Sequence, residues 1–208
     1  MKQKLKIYVS LLATLCMVLG ISALAASPKA EISFSPDAII ATEDKTYEMV
    51  DGYVQDIRLR NEALVLCDVD EINTTITFSE YLSFQEFKEY IESYDLEVAQ
   101  LQARGLTQDG TRVSIFSRTD KGLEETEQIL CDEALSEGFD FIGITGANVR
   151  ISPKQLDAIS EDSRTYLADT SGALTAQKSE IAEREELRDW FPQSLTWDLE
   201  DLGILVPG

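Results

Sequence analysis

The absence of histidine limits the chemistry that the side chains of this chain can perform. Without histidine there is no Ser-His-Asp triad, no Cys-His pair, no histidine zinc ligand and no histidine proton shuttle. A general acid or base would have to be a carboxylate, lysine, tyrosine or cysteine. The composition therefore excludes several common hydrolase mechanisms and directs attention to the carboxylates.

One pair of carboxylates follows an apolar run. The run from Leu64 to Val69 predicts a buried strand, and Asp68 and Asp70 alternate at its end, so both side chains can face one pocket. An apolar strand that ends in Asp-x-Asp resembles the first motif of haloacid-dehalogenase-type phosphatases. The resemblance implies that Asp68 attacks phosphorus, that Asp70 handles the proton, and that both lie near a magnesium ion.

Two later residues extend this resemblance. Lys154 and Asp169 are similar to the family's lysine and its later metal-binding aspartate. The chain departs from the family pattern, because Glu71 and Ile72 stand where a small residue and a threonine are usual, and no second acid follows Asp169. We therefore favour the structural alternative, a strand that runs into an acidic turn, and expect a protein without catalysis.

Other cofactor-binding patterns fail on spacing. An EF-hand that begins at Asp68 would place Ile72, Asn73 and Ser79 at the third ligand, glycine and final glutamate positions. The glycines lack the spacing and the lysine of a phosphate-binding loop. We expect no resident metal and no cofactor.

A group of arginine and glutamine residues is the best candidate for a binding face. Gln100, Gln102 and Arg104 share one side of an alternating strand, and Arg112 and Arg118 lie on the predicted return strand of a hairpin. Pairing with nearby acids across the strands is one explanation. The other is a polar binding face for a carboxylate-bearing or peptide ligand.

The tail from residue 190 to 208 is aromatic and apolar and contains Trp190 and Trp197. We expect it to pack back on the domain and close its core. The functional alternative is an exposed docking segment for a partner.

Residues 1–25 have the pattern of a secretory signal peptide. Three lysines precede an uncharged run over residues 7–25, which ends in the cleavage pattern Ala23-Leu24-Ala25. An uncleaved membrane anchor is the alternative, because this run is just long enough to span a bilayer. In either case we expect the folded part to be secreted or extracytoplasmic, with no membrane span after cleavage.

The net charge constrains the partners. The chain carries 18 basic and 38 acidic residues, for a formal charge of −20. Such a chain lacks the basic clusters that bind nucleic acid or anionic lipid. The expected partner is an extracytoplasmic protein or a component of the cell envelope.

Cys67 and Cys131 are the two cysteines that follow the predicted signal peptide. An even number in an oxidising compartment favours one disulfide between them, and two buried free thiols are the alternative.

The remaining pattern predicts the elements that position these residues. We predict a flexible leader over residues 26–44 and one domain over residues 45–189. The region 42–63, where leader and domain meet, is a helix or a pair of strands. From residue 74 to 145 the order is strand, helix, strand, hairpin, strand, helix, strand, which predicts an α+β, ferredoxin-like split β-α-β sandwich with a mainly antiparallel sheet and helices on one face. An appended helix and strand, a helix over 175–189 and the tail follow.

Taken together, these patterns predict a secreted, acidic, non-enzymatic domain that acts by binding a protein or a ligand, as a regulatory or cell-envelope interaction module. The alternatives are a magnesium-dependent phosphatase that uses Asp68 and Asp70, and a domain that binds a secreted protease as a propeptide or inhibitor does.

Overall fold

The computed structural model describes residues 46–66, 71–172 and 191–206. All of them belong to one compact unit that spans residues 34–208. Several predicted features lie outside the described residues: the signal peptide, the leader, the helix over 175–189, Cys67, Asp68, Asp70 and Trp190. No helix in the described part is both long and apolar enough to cross a membrane.

The described residues alternate between helices and strands. In chain order the elements are α1 (Tyr47–Val65), β1 (Ile72–Leu82), α2 (Phe84–Tyr94), β2 (Glu97–Thr107), β3 (Arg112–Arg118), α3 (Leu123–Glu137), β4 (Phe139–Ile151), α4 (Pro153–Ser160), β5 (Thr165–Asp169) and α5 (Thr196–Asp201). Because helices and antiparallel strands are mixed in one unit, the predicted α+β class is confirmed.

The strands form one sheet in the order β3-β2-β4-β1-β5, and all neighbours are antiparallel. Strand β4 lies between β1 and β2, and strand β2 lies between β3 and β4. Each of the three strand-helix-strand connections, β1-α2-β2, β3-α3-β4 and β4-α4-β5, therefore passes over one intervening strand. This arrangement brings the polar residues of β2 and β4 next to each other in the middle of the sheet.

The first face of the sheet carries the main apolar core. Side chains alternate along a strand, so every second residue of β1, β2 and β4 faces the same side. On this side they pack against α2, α3 and α4. The largest fully buried members of this core include Phe78, Phe87, Tyr90, Ile76, Leu101, Leu130 and Ile144.

Two capping boxes fix where α2 and α4 begin. Ser83 and Glu86 bond reciprocally at the start of α2, and Ser152 and Gln155 do so at the start of α4. Each box satisfies backbone N–H groups that the first helical turn would otherwise leave without partners. Both boxes are visible in the sequence as the patterns Ser-x-x-Glu and Ser-x-x-Gln.

The second face of the sheet is also covered by helices, so the prediction that helices lie on one face is wrong. The N-terminal half of α1 and the short α5 form a second apolar cluster on this side, around Tyr53, Ile57, Leu195 and Leu199. Leu167 of β5 contributes the sheet's side of the cluster. An apolar patch at that end of the sheet needs a cover, which α1 supplies as it runs along β5.

Helix α1 corrects the first part of the strand predicted for residues 64–69, and residues 67–69 lie outside the described part of the chain. The helical alternative for the region is the one that forms, with Thr46 as its N-cap, and it continues to Val65. Leu64 is therefore helical and not part of a strand. Val50, Ile57 and Leu64 recur at helical spacing and are buried, which explains why the helix extends into the apolar run.

Candidate ligand pocket

Residues 191–206, which we call the C-terminal segment, lie across the second face of the sheet. Two buried threonines of β1 hold the backbone of this segment. The Thr75 hydroxyl lies 2.6 Å from the carbonyl oxygen of Pro192, and the Leu195 N–H donates to Thr77 Oγ1 over 3.1 Å. The segment is therefore attached to the sheet by main-chain groups as well as by its apolar side chains.

A group of charged residues holds the other end of the C-terminal segment. Arg104 of β2 donates from Nε to Glu200 Oε1 over 2.7 Å. Arg112 of β3 donates to Glu200 Oε2 over 3.0 Å and to Asp201 Oδ1 over 2.6 Å. The hydroxyl of Tyr81 donates to Glu200 Oε1 over 2.8 Å. Two arginines and two acids thus balance in charge.

The centre of this network is out of contact with solvent. The side chains of Arg104 and Glu200 each keep about 3% of their exposure. Burial raises the pKa of Tyr81, and its bond to Glu200 raises that pKa further. A buried ion pair loses much of its attraction to desolvation, but removing one partner leaves an uncompensated charge at high cost.

The ring of Trp197 packs against both arginines of the network. The guanidinium carbon of Arg104 lies 4.0 Å from the ring centroid and that of Arg112 lies 4.5 Å from it. These cation–π contacts add to the ion pairs. The acids that pair with the predicted arginine cluster therefore come from the C-terminal segment, and not from a neighbouring strand.

A cavity of about 340 Å³ remains between the second face of the sheet and the C-terminal segment. Strands β2, β3 and β4 supply one wall and the segment supplies the other. Its lining includes four of the predicted binding residues, which are Gln100, Gln102, Arg104 and Trp197. Arg112 lies beside the cavity through its contact with Trp197, whereas Arg118 is exposed and is not part of the lining.

Three amide side chains form an ordered relay on the floor of the pocket. Gln102 Nε2 donates to Asn148 Oδ1 over 3.2 Å, and Asn148 Nδ2 donates to Gln100 Oε1 over 3.1 Å. Within the described residues, Gln102 Oε1 and Gln100 Nε2 have no hydrogen-bond partner. The relay thereby leaves one acceptor and one donor at the pocket.

The sequence prediction missed Asn148 because it ended the strand at residue 145. Strand β4 continues through Gly146, which occupies the strand interior for a packing reason. A Cβ at Gly146 would lie 2.6 Å from the carbonyl oxygen of Ile76, and 3.5 Å from Cβ of Ser194 in the C-terminal segment. The residue pairing places Asn148 directly opposite Gln100, so a longer strand would have revealed the relay.

Two more lining residues were not predicted as site residues. Phe116 is 58% exposed on β3 at the rim of the pocket, and Thr145 bonds the backbone carbonyl of Gln102 over 3.3 Å. Phe116 alternates with the apolar residue Ile115 on the return strand, which is the signal that could have placed it on the second face.

The residues of the phosphatase alternative divide between described and undescribed parts of the chain. Asp68 and Asp70 lie outside the described residues. Asp169 is 1% exposed, and its two oxygens accept bonds from the Tyr53 hydroxyl and from the Ser171 N–H. Burial raises the pKa of Asp169 despite these bonds. Lys154 is exposed on α4.

Asp169 therefore has a structural environment in this fold. Its oxygens are bonded to protein groups at the junction of β5 and α1, so they face no open cleft. Among the residues that the structure describes, no group of three or more histidine, cysteine, aspartate or glutamate side chains is arranged to hold a metal ion.

Cys131 has a free, exposed thiol on α3. Its predicted partner, Cys67, lies outside the described residues. The disulfide between them stays a prediction.

Comparisons with protein families, with curated proteins and with solved structures find no match to this chain.

Proposed function

We propose that this protein is an exported binding module that recognises its ligand or partner through the pocket beneath the C-terminal segment. The observation that carries the proposal is the convergence of residues far apart in the chain. Gln100, Asn148 and Trp197 line one cavity of about 340 Å³. The size is within the range of small-molecule sites, about 300–1,000 Å³.

The polar groups at the cavity support a role in binding. An amide oxygen that lines a cavity and accepts no bond from the protein is available to a ligand. Gln102 lines the cavity, and its Oε1 accepts no hydrogen bond from a described residue and is not sealed from solvent. A ligand that donates a hydrogen bond could use this oxygen.

Export rests on the sequence pattern of residues 1–25, and we propose an extracytoplasmic role as a regulatory or cell-envelope interaction module. The first check is the N-terminus of the protein recovered outside the cytoplasm. Cleavage after Ala25 gives Ala26 as the first residue. A protein that keeps residues 1–25 in the membrane fraction would show instead that the segment is an anchor.

As a finer description of the fold, we propose a variant of the ferredoxin-like split β-α-β sandwich. The β1-α2-β2 and β3-α3-β4 crossovers each pass over one strand, as the two crossovers of that fold do. The strand inserted between β1 and β2 is β4, where the ferredoxin-like order has the third strand. The variant also has an added edge strand, β5.

The binding proposal is tested by affinity capture from cell-envelope and extracellular material with the exported protein as bait. Two variants change the pocket: Gln102→Ala removes the buried amide, and Phe116→Ala removes an exposed ring. Gln128→Ala is the matched control, because Gln128 is exposed on α3 on the other side of the sheet. Circular dichroism establishes that all variants are folded.

We expect a component that the wild type and Gln128→Ala retain and that both pocket variants lose. Equal capture by all four proteins would overturn the pocket as the binding site. Magnesium-dependent hydrolysis of a phosphoester that Asp68→Asn abolishes would overturn a non-catalytic role. Inhibition of a secreted protease that is insensitive to Gln102→Ala would favour the propeptide-like alternative instead.

A further inference from the structure

The pocket carries almost no charge that a ligand could use. Among the lining residues that the structure describes, Arg104 is the one that carries a charge. Its side chain is about 3% exposed, and the guanidinium already bonds Glu200 and Ser114. An anionic ligand would have to compete with a buried carboxylate of the protein itself, and a cationic ligand finds no carboxylate in the described part of the lining. The charge balance therefore favours a neutral ligand.

The polar atoms at the pocket suit groups that both donate and accept hydrogen bonds. The relay leaves Gln102 Oε1 as an acceptor and Gln100 Nε2 as a donor, and the exposed amide of Gln193 lies at the opposite wall. A hydroxyl donates one bond and accepts others, so neighbouring hydroxyls of one molecule can use this pair together.

Aromatic rings stand at the rim beside these amides. Phe116 is 58% exposed and Trp197 is 38% exposed, although the ring of Trp197 is held in place by two guanidinium groups. A fixed ring offers a flat apolar surface with a negative face, against which C–H groups pack. The pocket thus combines neutral amides with one held ring, Trp197, and one exposed ring, Phe116.

Resting on the proposed function, we infer that the ligand is an uncharged saccharide. A sugar ring is neutral, presents neighbouring hydroxyls along its edge and presents C–H groups on its face. A peptide is the main competitor, because its backbone also donates and accepts. Peptides are commonly recognised along a sheet edge or in a long groove. This pocket lies on the face of the sheet, under the C-terminal segment, and suits a compact ring.

The inference is tested by isothermal titration calorimetry on the exported protein. The probes are neutral oligosaccharides built from glucose, galactose, mannose or N-acetylglucosamine, anionic oligogalacturonates, and terminally blocked neutral tripeptides. We expect at least one neutral oligosaccharide to bind. Gln102→Ala and Phe116→Ala are each expected to weaken that binding about tenfold or more, and Gln128→Ala to leave it unchanged. The affinity of a neutral ligand should also be insensitive to salt.

The outcomes separate this inference from the proposed function. Binding of the oligogalacturonates alone, or of the tripeptides alone, overturns the saccharide inference and leaves a binding module. Failure of every probe, while envelope capture still depends on Gln102 and Phe116, also overturns the saccharide inference alone. Failure of every probe together with failure of capture overturns both. If Gln102→Ala and Phe116→Ala bind a neutral saccharide as tightly as the wild type does, the saccharide binds elsewhere. That result overturns the assignment of this pocket.

Discussion

The two faces of the sheet are built by different physical means. The first face packs apolar side chains of the strands against three helices, and its stability comes from the apolar area removed from water. The middle of the second face is polar and is covered by the C-terminal segment, which a few directional contacts hold in place. The second face retains a cavity of about 340 Å³, whereas the pocket between α2 and α3 on the side of the first face is smaller, at about 140 Å³.

The difference shows how one sheet can separate stability from recognition. Apolar side chains pack against many kinds of apolar neighbour and fill the space between them. Polar contacts need particular partners and can leave space for a ligand beside them. The buried ion pair between Arg104 and Glu200 fixes the position of the C-terminal segment without filling the space next to it. The four predictions that follow test this division.

The largest effect is expected at the centre of the ion network. Glu200→Gln removes the charge that compensates Arg104, and should lower the free energy of unfolding by about 3–5 kcal/mol. Urea unfolding followed by circular dichroism measures the change. Glu124→Gln is the control, because Glu124 pairs with Lys88 on the exposed surface and its loss should have little effect. Equal losses of stability from the two substitutions would contradict the argument that burial makes the Glu200 ion pair costly to break.

A slightly smaller effect is expected on the apolar face. Leu101 is fully buried in the middle of β2, and Leu101→Ala should lower the free energy of unfolding by about 2–5 kcal/mol through lost burial and the cavity that it leaves. Leu135→Ala on α3 is the matched control, since Leu135 is 83% exposed. The same urea experiment should place the control within about 0.5 kcal/mol of the wild type. A tolerated Leu101→Ala would show that the apolar face is loosely packed.

The junction between α1 and β5 should respond to pH. Burial raises the pKa of Asp169 above its ordinary value of 3.8, so the folded protein holds this proton more tightly than the unfolded chain does. The contribution of Asp169 to stability is therefore greatest below pH 3.8 and is lost as pH rises from there through the raised pKa. Asp169→Asn should remove this loss in urea unfolding measured from about pH 3 to pH 8.

Asp109→Asn provides a control of opposite sign. Hydrogen bonds from Thr107 and Thr111 lower the pKa of Asp109, so its contribution is present above its ordinary pKa and is lost as pH falls. Removing Asp109 should thus reduce stability at neutral pH relative to low pH. If Asp169→Asn also reduced stability at neutral pH relative to low pH, the pKa of Asp169 would not be raised in the folded protein.

The smallest effect is expected at the exposed end of the ion network. Asp201 pairs with Arg112 where both side chains remain partly exposed, at 45% and 33%. Asp201→Asn should lower the free energy of unfolding by about 0.2–1 kcal/mol, and added salt should reduce the difference further. A loss as large as that of Glu200→Gln would mean that the network acts as one unit instead of in buried and exposed halves.

Local signals in the sequence predicted most of the elements. The capping boxes at Ser83 and Ser152 set the starts of two helices, and alternation set β2 and β3, because these features depend on a few neighbouring residues. The end of β4 was missed because Gly146 resembles a turn residue. A glycine is needed there because the Ile76 carbonyl oxygen leaves no space for a Cβ, and Ile76 lies 70 positions earlier in the chain.

The candidate site was partly predictable for the same reason. Gln100, Gln102 and Arg104 stand out by alternation within one strand. Their partners do not, because Glu200 contacts Arg104 across 96 positions of chain and Asn148 contacts Gln102 across 46. Pairing of the arginine cluster with acids was foreseen as one alternative, but no local pattern identified which acids.

The contacts that close the second face also impose an order on folding. Thr75 meets Pro192, and Thr77 meets Leu195, across 117 and 118 positions of the chain. A chain is synthesised from its N-terminal end, so the residues of all five strands are made before those of the C-terminal segment. Until that segment arrives, Arg104 and Arg112 lack their carboxylates and the threonines lack their main-chain partners. Closure of the second face therefore needs the part of the chain that is made last. A chain that stops before residue 200 would lack both carboxylates of the network and would expose Arg104 and Arg112 on an otherwise acidic molecule.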